Sequence, residues 1–280
     1  MVVGDFLSAS HCLQNGRVCA KSNSNPEGIP SHKIFVFDGF GQDIGHPLGR
    51  PWHLTFYPQE DLGFTYLGLT IEHYCHRFEV VPPSKRTDKI YVLGRDRGYF
   101  HPPTPQLFRP TIFTEVTNAT GVKFTVGTVQ PENEFETNSD IWPGLDDIGS
   151  SSRDEFMSEL QHHRALLGIG RPVQPSTPLE ALCVGTPFIN PVWLGRRSIK
   201  DRSKWHSQHP YLARFDPPYV YNVQDHREED VLEAVQAILK NPLTEPFIPD
   251  DMKKEAYLER IENLIRKDWE QVAHQTSKLE

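Results

Sequence analysis

The feature that most constrains the fold is a rhythm that begins at Lys89. Short apolar runs recur, each stopped by a glycine or an Asn-Pro pair. Ile90-Tyr91-Val92-Leu93 stops at Gly94, Phe124-Thr125-Val126 at Gly127, and Ala165-Leu166-Leu167 at Gly168. Thr186-Pro187-Phe188-Ile189 stops at Asn190-Pro191, and Tyr219-Val220-Tyr221-Asn222-Val223 follows. Runs this short, bounded by turn residues, read as buried strands. Helical patterns lie between or after them, over residues 105–117, 154–164, 178–184 and 229–240. In the last, Val231, Val235, Ile238 and Leu239 share a face, and Asp225 with Glu228 forms a capping pair ahead of it. A final helix over 253–274 puts Leu258, Ile261, Ile265, Trp269 and Val272 on one stripe. This alternation predicts an α/β protein with a Rossmann-like, doubly wound parallel sheet. In such sheets ligands bind beyond the carboxyl ends of the strands, where the glycine-ended loops lie.

Upstream of Lys89 the pattern is looser. Residues 1–31 are rich in Ser, Asn, Gly and Pro and lack periodicity, which predicts a disordered leader. Lys33-Ile34-Phe35-Val36-Phe37-Asp38 and Tyr66-Leu67-Gly68-Leu69-Thr70-Ile71 read as two more strands. They fall in a segment, 32–88, separate from the domain over 89–280. The 280 residues suffice for one large or two small domains. A net charge of -8 with no basic run argues against nucleic acid as a partner. No apolar stretch approaches a membrane span, and the first residues lack a basic segment followed by an apolar one, so no signal peptide is expected. The four cysteines form no metal spacing. Cys12 and Cys19 are near enough to pair in an oxidising compartment. His73-Tyr74-Cys75-His76 has a metal-like spacing but no partner pair. Asn118-Ala119-Thr120 is a glycosylation sequon.

The segment with most chemistry runs from Ala165-Leu166-Leu167-Gly168-Ile169-Gly170 to Ser176-Thr177-Pro178-Leu179-Glu180-Ala181-Leu182-Cys183-Val184-Gly185. A strand stops at two glycines and a helix starts at Thr177. Glycines let backbone N–H groups approach an anion, and a helix N-terminus adds about half a positive charge, a setting that suits a diphosphate. The third glycine of a dinucleotide fingerprint is missing, which argues against NAD or FAD. Two readings fit Thr177-Pro178-Leu179-Glu180. One is a capping box, with Pro178 at the first helical position. The other makes Glu180 the acceptor for the ribose hydroxyls of a nucleotide.

This segment, taken with Ser207-Gln208-His209-Pro210-Tyr211 and Tyr257-Leu258-Glu259-Arg260-Ile261, resembles glycosyltransferase family 18. Weaker matches fall in order: Phe37-Asp38-Gly39-Phe40-Gly41, Leu67-Gly68-Leu69-Thr70-Ile71-Glu72, Val92-Leu93-Gly94-Arg95 and Ser152-Arg153-Asp154. The resemblance runs from about residue 34 to 270. It implies a GT-B fold, two Rossmann-like domains facing across a cleft, of which this chain holds the C-terminal, donor-binding domain and an incomplete N-terminal portion. It implies an inverting transfer of GlcNAc from UDP-GlcNAc to the 6-OH of an α-1,6-linked mannose of N-glycans. It also implies no cofactor, no divalent metal and a Golgi location, although this chain shows neither signal nor anchor. By the same resemblance Glu180 is the ribose contact, Gly168 and Gly170 form the diphosphate-side loop, and Gly94-Arg95 faces the cleft. Thr177, Pro178, Gln208 and His209 complete the donor site.

The chain departs from the family at three points. Gln174 stands where relatives carry a second glutamate. The loop between Asn190 and Ser207 is shorter, and both Lys200 and Lys204 are candidates for the lysine that neutralises UDP phosphate. Inverting transfer needs a general base, which in the family is a glutamate of the N-terminal domain, so no catalytic residue is assigned here. His209 has a near-neutral reference pKa, but a histidine before Pro210 more often packs or hydrogen-bonds than takes a proton. The alternative to an enzyme is a non-catalytic fragment or degenerate paralogue that binds a nucleotide sugar or only a partner.

Overall fold

A computed structural model describes residues 1–39, 45–129, 141–194, 202 and 205–276. Two compact units emerge: residues 1–71 together with 249–280, and residues 72–248. The boundaries differ from the sequence expectation. The segment 32–88 is divided at Ile71, and the last 32 residues, expected to extend the nucleotide-binding domain, belong to the first unit.

In the first unit, strands β1 (Val2–Asp5), β2 (Ile34–Phe37), β3 (His53–Thr55) and β4 (Thr65–Tyr66) form a parallel sheet in that order. Helix α1 (Phe6–Gln14) links β1 to β2. Residues 1–31 are therefore not a loose leader. Asp5 caps α1 by accepting the Ser8 N–H at 2.8 Å. A disulfide joins Cys12 to Cys19, and Cys12, Ala20 and Ile34 pack together as a small core. The Ser/Asn-rich composition hid this because those residues serve turns: Ser22 and Asn25 exchange backbone hydrogen bonds. The second expected strand, 66–71, shrinks to β4, because at Gly68 the chain takes φ +82° and turns.

The second unit opens with α2 (Glu72–Cys75) and continues β5 (Lys89–Leu93), α3 (Ile112–Thr120), β6 (Lys123–Val126), β7 (Leu145–Asp147), α4 (Arg153–Leu160), β8 (Ala165–Gly168), α5 (Thr177–Cys183), β9 (Phe188–Trp193), β10 (His206–Ser207), β11 (Val220–Gln224) and α6 (Glu228–Lys240). The parallel strands stand in the order β7-β6-β5-β8-β9-β11. Numbered within the unit, that is 3-2-1-4-5-6, the Rossmann order. The short β10 runs antiparallel to the end of β9. The glycine-ended runs became strands as expected, and each is buried almost throughout: Ile90, Val92, Phe124, Val126, Ala165, Leu167 and Ile189 share one core with Val231, Val235 and Ile238 of α6. On α6, Leu239 is 37% exposed and Ala234 takes the inward place expected for it. Glu228 does not cap α6; it accepts the backbone N–H of Arg109 at 2.9 Å, ahead of α3.

The chain then returns to the first unit as α7 (Lys254–Arg266) and α8 (Trp269–Thr276). The single helix expected over 253–274 breaks at Lys267, which is extended. The break rotates the apolar stripe: Leu258 and Ile265 face solvent, while Leu264, Trp269 and Ala273 pack with Phe35, Trp52 and Leu54. Arg260 of α7 donates to the carbonyls of Leu67 (2.7 Å) and Asp251 (2.6 Å) and lies over the Tyr66 ring. A side chain at Gly68 would come within 2.5 Å of that guanidinium, so the glycine of Leu67-Gly68-Leu69 makes room for it.

Candidate functional site

Strands β5 and β8 are neighbours whose connections leave toward opposite edges of the sheet, the arrangement that opens a crevice at their carboxyl ends. A cleft of about 540 Å³ lies there, within the range of small-ligand sites. Leu93, Gly94 and Arg95 enter it from the end of β5, and Gly127 from the end of β6. Ser150, Ser151, Arg153 and Phe156 come from the start of α4, and Ser176, Thr177 and Glu180 from the start of α5.

Helix α5 is short, and every residue from Pro178 to Cys183 is buried. Glu180 is its one charged residue and is only 4% exposed. A buried carboxylate needs a partner, and Arg153 supplies it by an ion pair. The Arg153 guanidinium also lies 3.7 Å from the centre of the Tyr74 ring, a cation–π contact. Tyr74 in turn donates its hydroxyl to Asp154 at 2.7 Å. Burial, then the Asp154 bond, push that phenol up to about 12. The start of α4 that presents Arg153 is fixed by a capping box of Ser152 and Glu155. No such box forms at Thr177: α5 begins after Ser176 without a side-chain cap, and the Glu180 N–H bonds the Ser176 carbonyl. Glu180 gives its side chain to Arg153 and the cleft instead.

The loop that carries Gly94 and Arg95 is braced from below. Asp147, at the end of β7, accepts from the backbone of Thr128 and Gly149 and from the Arg97 guanidinium. Burial works against this carboxylate, but those bonds with the Thr128 hydroxyl hold it below the usual range. The Arg95 carbonyl accepts the Val129 N–H at 3.0 Å, so the loop is held while the Arg95 side chain stays exposed at the cleft.

The sequence-selected residues thus separate into groups. Gly94, Arg95, Thr177 and Glu180 line one cleft, with Pro178 packed behind them. Gly168, Gly170, Gln208 and His209 are brought together elsewhere, as a buried brace. Gln208 accepts the Gly170 N–H at 2.8 Å and donates to the Pro172 carbonyl at 3.0 Å. A Cβ at Gly168 would collide with the Gln208 amide and approach Pro191 to 2.7 Å. The glycine N–H expected to meet a diphosphate is therefore already bonded. Asn190 accepts the His209 N–H at 3.1 Å and donates to Asn222 at 2.9 Å, extending the brace to β11. His209 is fully buried, and burial depresses its imidazole to about 3 against the opposing bond to the Pro175 carbonyl. It is neutral and hydrogen-bonded, not poised to exchange a proton near neutral pH. Lys200 and Lys204 lie outside the described residues.

Sequence reasoning missed Tyr91, Ser150, Ser151, Arg153 and Phe156 as lining. The legible signal was the Ser152-to-Glu155 spacing, which marks a helix start opposite α5. It also missed the disulfide between Cys75 and Cys183, 108 residues apart, which fastens α2 to the last turn of α5. Among the described residues, Cys75, His76 and Cys183 are the one grouping near enough to hold a metal ion, and the disulfide occupies both sulfurs. At the same end of α5 the buried Arg86 donates to the carbonyls of Val81 (2.8 Å) and Gly185 (2.7 Å). Burial lowers this guanidinium to about 10, and a helix C-terminus is a favourable place for the charge it keeps.

A Rossmann-ordered sheet with a buried carboxylate and two arginines at its switch point defines an α/β fold class whose ligand crevice lies at the carboxyl ends of the strands. The model of Glycosyltransferase family 18 matches residues 44–277, and the chain belongs to that family. It is 34% identical over 258 residues to human alpha-1,6-mannosylglycoprotein 6-beta-N-acetylglucosaminyltransferase A, covering 83% of this chain and 32% of that protein. The Caenorhabditis elegans alpha-1,6-mannosylglycoprotein 6-beta-N-acetylglucosaminyltransferase is 26% identical over 237 residues, covering 80% of this chain and 33% of that protein. The chain spans about a third of the length of these relatives. Among solved structures, AviGT4, a glycosyltransferase involved in avilamycin A biosynthesis, matches with a TM-score of 0.44 and 13% identity over 96% of this chain and 77% of its own. That likeness is too loose to bear on function.

Proposed function

We propose that residues 72–248 are the donor-binding half of a GT-B N-acetylglucosaminyltransferase, and that the cleft at the β5–β8 switch point holds UDP-GlcNAc. The observation that carries this reading is Glu180: a carboxylate 4% exposed on the floor of the cleft, in the first turn of α5. A pair of vicinal ribose hydroxyls offers two donors to such a group, each charge-assisted. Arg95 and Arg153, with the hydroxyls of Ser150, Ser151, Ser176 and Thr177, supply positive charge and donors for a diphosphate. The acceptor is a mannose 6-OH of a mannosylglycoprotein, a reading that the names of the relatives support; that it is an N-glycan and that transfer takes place in the Golgi rest on the family resemblance alone. In transfer the hydroxyl oxygen bonds to the anomeric carbon, the bond from that carbon to the phosphate oxygen breaks, and UDP leaves with the electron pair. Cations beside the leaving phosphate stabilise that step, which is why no divalent metal is invoked. The displaced proton goes to a base other than Glu180, because Glu180 is committed to Arg153 and the ribose.

The test is calorimetric titration with UDP and ADP. Preference for UDP is expected, and Glu180→Gln should weaken it roughly 10- to 100-fold, the loss of one or two charge-assisted bonds. Equal affinity for the two nucleotides, or none for either, would overturn the reading. Transfer of GlcNAc from UDP-GlcNAc to a biantennary acceptor tests the activity separately.

A further inference from the structure

The sequon Asn118-Ala119-Thr120 has no part in the cleft, and its surroundings give it a use of its own. Asn118 is exposed on the last turn of α3, which ends at the left-handed Gly121. Three observations are independent of the motif. The first is the pair of disulfides, Cys12–Cys19 and Cys75–Cys183, with no free cysteine among the described residues. This is the cysteine usage of a chain that folds in an oxidising lumen. The second is position. Helix α3 ends just before Lys123, where β6 begins, so Asn118 stands at the amino edge of the sheet, whereas the cleft opens at the carboxyl edge. A bulky group on Asn118 leaves the cleft clear. The third is a hollow of about 210 Å³ lined by Thr114, Thr117, Lys123, Gly144 and Asp146. Thr114 lies four residues before Asn118, on the same helix face. Hydroxyl, ammonium and carboxylate groups in one shallow hollow are what the hydroxyls and N-acetyl group of a first sugar residue would bond.

We propose that Asn118 is an N-glycosylation site and that its first GlcNAc lies over the hollow between α3 and the starts of β6 and β7. The reaction joins the Asn118 amide nitrogen to the anomeric carbon of an oligosaccharide carried on a lipid diphosphate. The bond from that carbon to the diphosphate oxygen breaks, the lipid diphosphate leaves with the electron pair, and the amide proton passes to a base of the transferring enzyme and from there to water. In the folded chain the Thr120 hydroxyl donates to the Val116 carbonyl at 2.8 Å and is not available for recognition. Modification therefore precedes the closing of α3 and occurs on the unfolded or nascent chain.

The proposal does not depend on what the cleft binds. Its test is the protein secreted from a eukaryotic host, with both disulfides verified, digested and treated with an amidase that releases N-glycans and leaves a carboxylate at the site. The peptide ending at Lys123 should carry a glycan before treatment and the mass of the converted amide after it. Asn118→Gln and Thr120→Ala should both abolish the modification, and Thr120→Ser should keep it. UDP affinity should change by less than about two-fold with or without the glycan, since the site is at the far edge of the sheet. An unmodified Asn118 in secreted, disulfide-complete protein would overturn the proposal, as would a glycan that survives Thr120→Ala.

Discussion

Arg153 holds the Glu180 carboxylate that a ribose would also need, and the pair is lopsided: the Arg153 side chain is 59% exposed and that of Glu180 5%. Arg153 stays largely solvated while it holds its partner, whereas Glu180 does not. Arg153→Met should therefore strand a buried charge and lower stability by about 1–2 kcal/mol, below the range for fully buried pairs because one partner is half in water. Adding Glu180→Gln should restore most of that loss, a coupling that urea unfolding of the two single variants and the double variant would measure. His209 makes a second residue-scale prediction. Its folded value of about 3 lies below the ordinary 6.5, so under pH 6.5 the unfolded chain binds a proton that the folded chain refuses. Stability is then full above pH 6.5 and falls as the pH drops toward 3. Urea midpoints at pH 5 and pH 7 should differ less in His209→Asn, which keeps an acceptor near the Leu212 N–H. His46, lowered to about 4 chiefly by burial, leaves part of the slope in place.

At the scale of elements, α5 is the piece on which the proposed site turns, and both its anchors are at its far end. The Cys75–Cys183 bridge and the Arg86 bond to Gly185 hold the last turn, three to five residues beyond Glu180. Replacing Cys75 and Cys183 by Ser should cost about 2–5 kcal/mol and lower UDP affinity as well, because the helix that aims Glu180 loses a tether. Melting and titration on the same preparation check the two effects. Neither anchor was legible in the sequence, since 108 residues separate the cysteines and nothing local pairs them. What the sequence did show were elements whose signal is local. Five strands of the second unit, β5, β6, β8, β9 and β11, were read from short apolar runs, three of them ended by glycine, and α6 from the apolar face of Val231, Val235 and Ile238; the short β7 and β10 were not read. Strand β3 escaped because two of its three residues are polar: His53 and Thr55 are fully buried, a state composition does not announce. The site was legible in the same measure. Glu180 and Arg95 stood out by position in a motif, whereas Arg153 joins them only because α4 and α5 become neighbours after folding.

For the molecule as a whole, the division at residues 71 and 249 matters more than the boundaries expected from composition. The second unit is one continuous stretch with its own core, and the first is assembled from both ends of the chain. The aromatic centre of the first unit shows the dependence directly. Trp269 meets Phe35 edge-on, with ring centres 4.8 Å apart, and lies 5.3 Å from Trp52, more than two hundred residues earlier in the chain. On the ribosome, then, strands β1 to β4 emerge before α7 and α8 and must wait, their apolar face uncovered, until those helices are made. The stretch between them can fold meanwhile. Across these residues synthesis order and assembly order are inverted: β1 to β4 are made before the second unit and completed after it, and during that interval their uncovered face is exposed to aggregation.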